Sequence, residues 1–136
     1  MPYRSLDVRI EYDVLKKPKL ENPVFIEGLS GLGNVGMLAA THLIREIGAI
    51  KFADVFSPYF LRPGTLIPGV MYTDGVADLL KDEIYYSEEK ELLILVGYYQ
   101  GSTAESYFML AETILDFCDE FNVKSCLLYT SPSPRD

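Results

Sequence analysis

The sequence is poor in the residues on which most reactions and scaffolds are built. It holds one histidine, His42, and two cysteines, Cys118 and Cys126, in 136 residues. Two cysteines make no disulfide framework and match no zinc-ligand spacing, so no metal centre is predicted and a reducing, cytoplasmic setting is expected. Positive charge is also scarce: 12 Lys and Arg stand against 20 Asp and Glu, a net charge of −8. Such a balance lacks the basic surface that a general grip on nucleic acid or an anionic membrane requires, so neither is expected as a partner. No apolar run approaches the length of a membrane span. The start, Met1 to Arg9, is broken by Arg4 and Asp7 and does not read as a signal peptide. No internal repeat is visible.

What is present is enough for one folded domain: 49% of the residues are hydrophobic, in a chain of single-domain length. The most organised stretch runs from Pro23 to Ile47. Val24-Phe25-Ile26 reads as a buried strand, and glycines follow at Gly28, Gly31, Gly33 and Gly36. Apolar residues then fall at helical spacing as far as Gly48, a good helix stop. Glycines in such a turn allow positive φ and let a helix start lie close to a strand. Leu6–Tyr12 alternates like a strand, and Phe52–Phe56 reads as a second buried one, giving a parallel, right-handed βαβ unit. Ser57–Pro68 is a loop rich in proline and aromatics. Asp74-Gly75 between two apolar runs predicts a hairpin. Glu83–Tyr86 and Leu92–Gly97 read as strands, the second continuous enough to lie centrally with both faces covered. Ser102-x-x-Glu105 reads as a capping box opening a helix whose apolar stripe includes Tyr107, Leu110, Leu115, Cys118 and Phe121. Val123–Leu128 predicts a last strand.

Gly31-x-Gly33-x-x-Gly36 has the form of a dinucleotide-binding fingerprint, and Asp54 lies at about the distance of a ribose-binding acid. Against this reading, Asp54 sits inside its strand rather than at its end. No Lys or Arg occurs from Glu27 to Leu43 to pair with a phosphate. His42 and Cys118 both fall on apolar stripes and read as core residues. Ser30 does not have the nucleophile-elbow spacing. No nucleophile–base pair or carboxylate dyad emerges, so no catalytic residue and no cofactor is predicted. The candidate binding residues are Gly31, Gly33, Asn34 and Gly36 of the turn, with Tyr59, Phe60, Tyr98, Tyr99 and Gln100. The aromatics follow strands of similar direction and are expected beside the turn as an exposed cluster suited to a protein partner.

Cys126 to Asp136, CLLYTSPSPRD, reads like an in-frame translation of a transposase-type sequencing adapter. Residues 1–125 are therefore expected to be the N-terminal part of one α/β domain, and 126–136 an artefactual tail. This tail is expected to make few contacts beyond Tyr129, with Pro132–Asp136 irregular and exposed.

Several segments, in order, resemble the proteasome assembly chaperone family, its archaeal branch above all. They are Pro23–Gly28, the turn Gly31-Leu32-Gly33-Asn34-Val35-Gly36, Leu43-Ile44, and Asp74-Gly75 with its flanking strands. Ile84-Tyr85-Tyr86, the Gly97-Tyr98-Tyr99-Gln100 pattern, Tyr107 and the Glu112–Val123 helix complete the set. The chain departs from the family at Ser30, where proline is common, and it lacks the strands and helices with which the family's domain continues. The resemblance implies a three-layer α/β/α fold related to nucleoside phosphorylases, with a mainly parallel mixed sheet, here truncated. It implies a non-catalytic role in assembling proteasome α-subunits, as a homo-oligomer. Some relatives resemble ATP-dependent ligases, so the alternative is a nucleotide-binding or ligase-like enzyme using the Gly31–Gly36 turn.

Overall fold

The computed structural model describes residues 8–61 and 70–128. The start of the first expected strand, part of the Ser57–Pro68 loop and the tail from Tyr129 onward lie outside the described residues. The expected behaviour of Tyr129 and Pro132–Asp136 lies outside them too.

Among the described residues eight strands and two α-helices follow one another: β1 (Arg9–Tyr12), β2 (Val24–Leu29), α1 (Val35–Ile47), β3 (Ile50–Phe56), β4 (Val70–Thr73), β5 (Val76–Leu79), β6 (Lys81–Ser87), β7 (Leu92–Gly97), α2 (Ala104–Glu120) and β8 (Ser125–Leu128). Six strands form one sheet in the order β1-β3-β6-β7-β2-β8, while β4 and β5 pair as a separate hairpin. β2 runs parallel to both β7 and β8, whereas β1–β3, β3–β6 and β6–β7 are antiparallel. Four strands therefore share one direction, and β1 and β6 make the sheet mixed. β2 and β3 are parallel in direction, as the βαβ reading requires, but β6 and β7 lie between them.

The alternation of β7 builds the layers. Leu93 and Leu95 point into a core with Phe25, Phe52, Ile84 and the α2 residues Leu110 and Phe117. Ile94 points the other way, to Ile26 and Ala40 of α1. Each helix thus covers one face, and the strand expected to be central is buried on both sides. α1 comes unusually close to β2. A Cβ at Gly28 would overlap Ala40 and would lie 2.7 Å from the carbonyl oxygen of Gly36.

Both helices are rotated from the stripes expected of them. α1 buries Gly36, Met37 and Ala40, which leaves His42 exposed rather than in the core. α2 buries Ser106, Leu110, Phe117 and Cys118, with Tyr107 and Leu115 exposed. The cap of α2 lies one residue later than expected. Thr103 accepts from the Ser106 N–H at 3.1 Å, and the Ser106 hydroxyl oxygen accepts from the Thr103 N–H at 2.9 Å. Cys126 to Leu128 pair with Phe25 to Glu27, extending the sheet by one exposed edge strand.

Candidate functional site

The directions of β2, β3 and β7 bring three loops to one edge of the sheet: the glycine turn, the segment after Phe56, and Tyr98–Thr103. In the turn, residues 32–34 form a single 3-10 turn closed by the Asn34 N–H donating to the Gly31 carbonyl at 3.0 Å. Gly33 and Asn34 both take left-handed backbone, with φ of 66° and 53°. Asparagine is among the few side chains that tolerate this region. Gly36 is buried where α1 meets β2, whereas Gly31 has open space around it. The four positions of the turn thus have different reasons for being what they are.

A strap joins the turn to the loop after β7. The Ser30 hydroxyl donates to the Tyr98 carbonyl at 2.6 Å, and Gln100 Nε2 donates to the Ser30 carbonyl. Tyr98 and Tyr99 rings lie 6.3 Å apart, and Tyr99 stacks on Phe60 at 5.7 Å. The structure therefore brings together the glycine turn, Tyr98, Tyr99, Gln100 and Phe60. Phe60 corrects the expectation of an exposed cluster: at 0% exposure it is a core residue, held under Tyr99. Tyr98, 58% exposed, carries the surface aromatic area, and Tyr59 and Tyr99 are half-buried. Tyr98 also borders a cleft of about 300 Å³ with Met37 and Thr41 of α1 and Lys81 and Glu83 of β6.

Sequence reasoning missed the group beneath the strap. Asp82 is fully buried, and its Oδ1 accepts from the Tyr99 N–H at 3.1 Å. Its Oδ2 has no partner among the described residues. Burial pushes this carboxyl well above its ordinary value, nearby Glu27 and Glu83 add to the rise, and the Tyr99 N–H opposes it. Burial thus favours the neutral form of Asp82 in the folded state. Glu27 is likewise raised by burial, against an N–H from Leu29 at 3.3 Å. Gly97 makes room for Asp82, because a Cβ there would overlap the carboxyl. Asp82 could have been found by parity: it stands two residues before Ile84 on β6 and must share that residue's inward face.

The nucleotide reading loses its acid. Asp54 lies mid-strand on β3 and pairs with Lys51 at 2.7 Å and Lys81 at 3.6 Å. β3 is three places from β2 in the sheet, which puts Asp54 about 14 Å to the side of the turn at ordinary strand spacing. Cys118 is buried, as expected, and its thiol is pushed up to about 12, chiefly by burial, so it carries no thiolate. Among the described residues no group of His, Cys, Asp and Glu is arranged to hold a metal ion, and no helix is long and apolar enough to cross a membrane.

A model of the PAC2 family matches residues 25–134. An uncharacterized protein of Methanocaldococcus jannaschii is 35% identical over 103 residues, covering 75% of this chain and 38% of that protein. Among solved structures, PbaB of Pyrococcus furiosus, described as an archaeal proteasome activator, superposes with a TM-score of 0.74 at 35% identity. That match covers 94% of this chain and 54% of PbaB. PbaA of the same organism, described as an archaeal homolog of proteasome-assembly chaperone, gives 0.60 at 19% identity, covering 93% and 52%. At that identity the likeness is one of fold. The chain spans about half the length of these solved structures and 38% of the curated relative.

Proposed function

The chain belongs to the PAC2 family, and from that membership we propose that it is a non-catalytic, chaperone-like protein that assists assembly of proteasome α-subunits through protein–protein binding. It acts in the cytoplasm as a homo-oligomer. The observation that carries the reading is the strap: an exposed Tyr98 whose carbonyl is tied to the glycine turn through Ser30. An aromatic held on a hydrogen-bonded loop loses little freedom on binding, which suits it as an interface anchor. The relative at 35% identity, PbaB, is described as a proteasome activator, which supports the choice of partner. The binding surface comprises Tyr59, Tyr98, Tyr99 and Gln100 beside Gly31, Gly33 and Asn34; Gly36, buried where α1 meets β2, and Phe60 support it from below.

The reading leaves the hydroxyl of Ser30 engaged as a structural donor, and it needs no cofactor. The test is Tyr59→Ala combined with Tyr98→Ala. Interface anchors of this kind contribute about 2 kcal/mol or more each, so α-subunit assembly in size-exclusion runs should be lost while the melting temperature barely moves. Unchanged assembly would refute the site. Calorimetry with ATP and NAD should show no binding; micromolar affinity abolished by Gly33→Val would favour an enzyme instead.

A further inference from the structure

A carboxyl buried on a strand is costly, and an apolar side chain in its place would avoid that cost. Asp82 is such a carboxyl. Among the described residues its side chain makes one hydrogen bond, accepting from the Tyr99 N–H.

That bond falls where the sheet stops holding the chain. Pairing of β7 with β6 ends at Glu83↔Val96, and pairing with β2 ends at Leu29↔Gly97. The peptide between Tyr98 and Tyr99 lies beyond both ladders, and side chains take its two polar ends instead. The Tyr98 carbonyl accepts from the Ser30 hydroxyl at 2.6 Å, and the Tyr99 N–H donates to Asp82 Oδ1 at 3.1 Å. Both groups belong to one rigid plane, because the peptide bond between them does not rotate freely. The plane can swing only about the line joining its two Cα atoms, and that swing breaks both bonds at once.

The two jaws of this clamp stand on different strands. Asp82 lies on β6, paired there with Val55 of β3, and Ser30 directly follows β2. Gly97 completes the fit, since a Cβ there would overlap the carboxyl. The clamped plane sends two rings in opposite directions, continuing the alternation of β7. Tyr99 turns inward onto Phe60, with 5.7 Å between ring centres. Tyr98 turns the other way and lies exposed beside Met37 and Thr41 of α1.

We propose that Asp82 is a positioning residue of the binding surface: it holds the Tyr98–Tyr99 peptide from beneath, against Ser30, and so fixes the direction in which Tyr98 meets a partner chain. Asp82, fully buried, touches no partner itself. The inference rests on the reading of Tyr98 as an interface anchor. An anchor already held in its bound direction loses less freedom on binding.

The chain has no tryptophan, so Tyr98→Trp places a single fluorescent reporter on the clamped loop of the whole chain, with no α-subunit present. Leu115→Trp, at an exposed position on α2, is the control for general loosening. Asp82→Leu should raise acrylamide quenching at position 98 by at least about twofold and leave position 115 unmoved. Asp82→Asn keeps an acceptor of the same size and should change neither. Ser30→Ala frees the other end of the same plane and should also raise quenching at position 98; it serves if Asp82→Leu does not fold. The two together should have less than the product of their single effects, because one plane is released only once. With Tyr98 in place and α-subunits added, Asp82→Leu should weaken binding by about five- to tenfold, the scale of one net hydrogen bond, and Asp82→Asn should not. Quenching at position 98 that Asp82→Leu leaves unmoved, or that rises equally at position 115 or with Asp82→Asn, overturns the proposal. So do independent effects of Ser30→Ala and Asp82→Leu, or α-subunit binding that Asp82→Leu leaves intact. If the quenching results hold and no α-subunit binds even to wild type, the clamp stands and the proposed partner fails.

Discussion

Replacing Asp82 by asparagine removes a titrating proton and little else. The amide oxygen can still accept from the Tyr99 N–H, and the side chain keeps its volume in a site with no spare room beside Gly97. The sign of the pH effect follows from the raised folded-state value. Above the ordinary value of 3.8 the unfolded chain loses the Asp82 proton while the folded chain, with the carboxyl buried, keeps it. The folded state then binds more protons, so wild-type stability falls as pH rises. The slope is about 1.4 kcal/mol per pH unit, from about pH 4 until the folded carboxyl itself ionises. Asparagine has no such slope. Urea unfolding of both proteins at a series of pH values rising from about 4.5 should therefore show the variant gaining on wild type, by up to about 1.4 kcal/mol per unit for as long as the folded carboxyl stays protonated. All other titrating groups are common to the two proteins and drop out of the difference while the folded Asp82 is uncharged; once it ionises, Glu27 and Glu83 feel its charge. Asp82→Leu orphans the Tyr99 N–H and should lie below Asp82→Asn by about 1–3 kcal/mol throughout. A constant gap between wild type and Asp82→Asn across this range would mean that Asp82 ionises in the fold at its ordinary value, and the reasoning would be wrong.

Two more outcomes follow from the same region. Gly97→Ala should lose about 1–3 kcal/mol by overpacking against Asp82, and combining it with Asp82→Ala should recover part of that loss; additive penalties in denaturant melts would contradict the contact. Phe60→Ala should cost about 3–5 kcal/mol as a core truncation, whereas Tyr98→Ala should shift stability by no more than about 0.5 kcal/mol, and equal effects on the two melting curves would undo the division between core and surface.

The strand–turn–helix, the central β7 and the Asp74-Gly75 hairpin were legible because each is written in local pattern: glycines before a helical period, a continuous apolar run, and a turn dipeptide. The order of strands was not, because β2 pairs with β7 across half of the chain and no local signal encodes that choice. Phe60 was misread as exposed because loop position says nothing about which ring lies beneath another. The helices were misplaced by rotation. Both carry apolar residues beyond the buried stripe, such as Val35 and Leu38 on α1 and Phe108 and Leu115 on α2, so hydrophobicity alone does not select the inward face. Ser102 and Thr103 are both credible caps, and the reciprocal bonds of Ser106 decide between them. Asp82 escaped because a Lys-Asp-Glu run looks solvated, and the strand was read as starting at Glu83, two residues after its true beginning at Lys81.

The strand order has a consequence for synthesis. Both neighbours of β2 in the sheet, β7 and β8, are later in sequence than every strand that pairs with β3. β2 and β7 are separated by about 70 residues, which a ribosome takes on the order of several seconds to add. Throughout that interval Val24-Phe25-Ile26 has been made and has no strand to join. α1 can shield only one of its faces, and Phe25 faces the other side, toward α2, which is later still. The nascent chain therefore passes through a period in which this apolar strand is unpaired on both edges, and pulse-labelled ribosome complexes stalled before Leu92 should be the forms most readily captured by holdase chaperones.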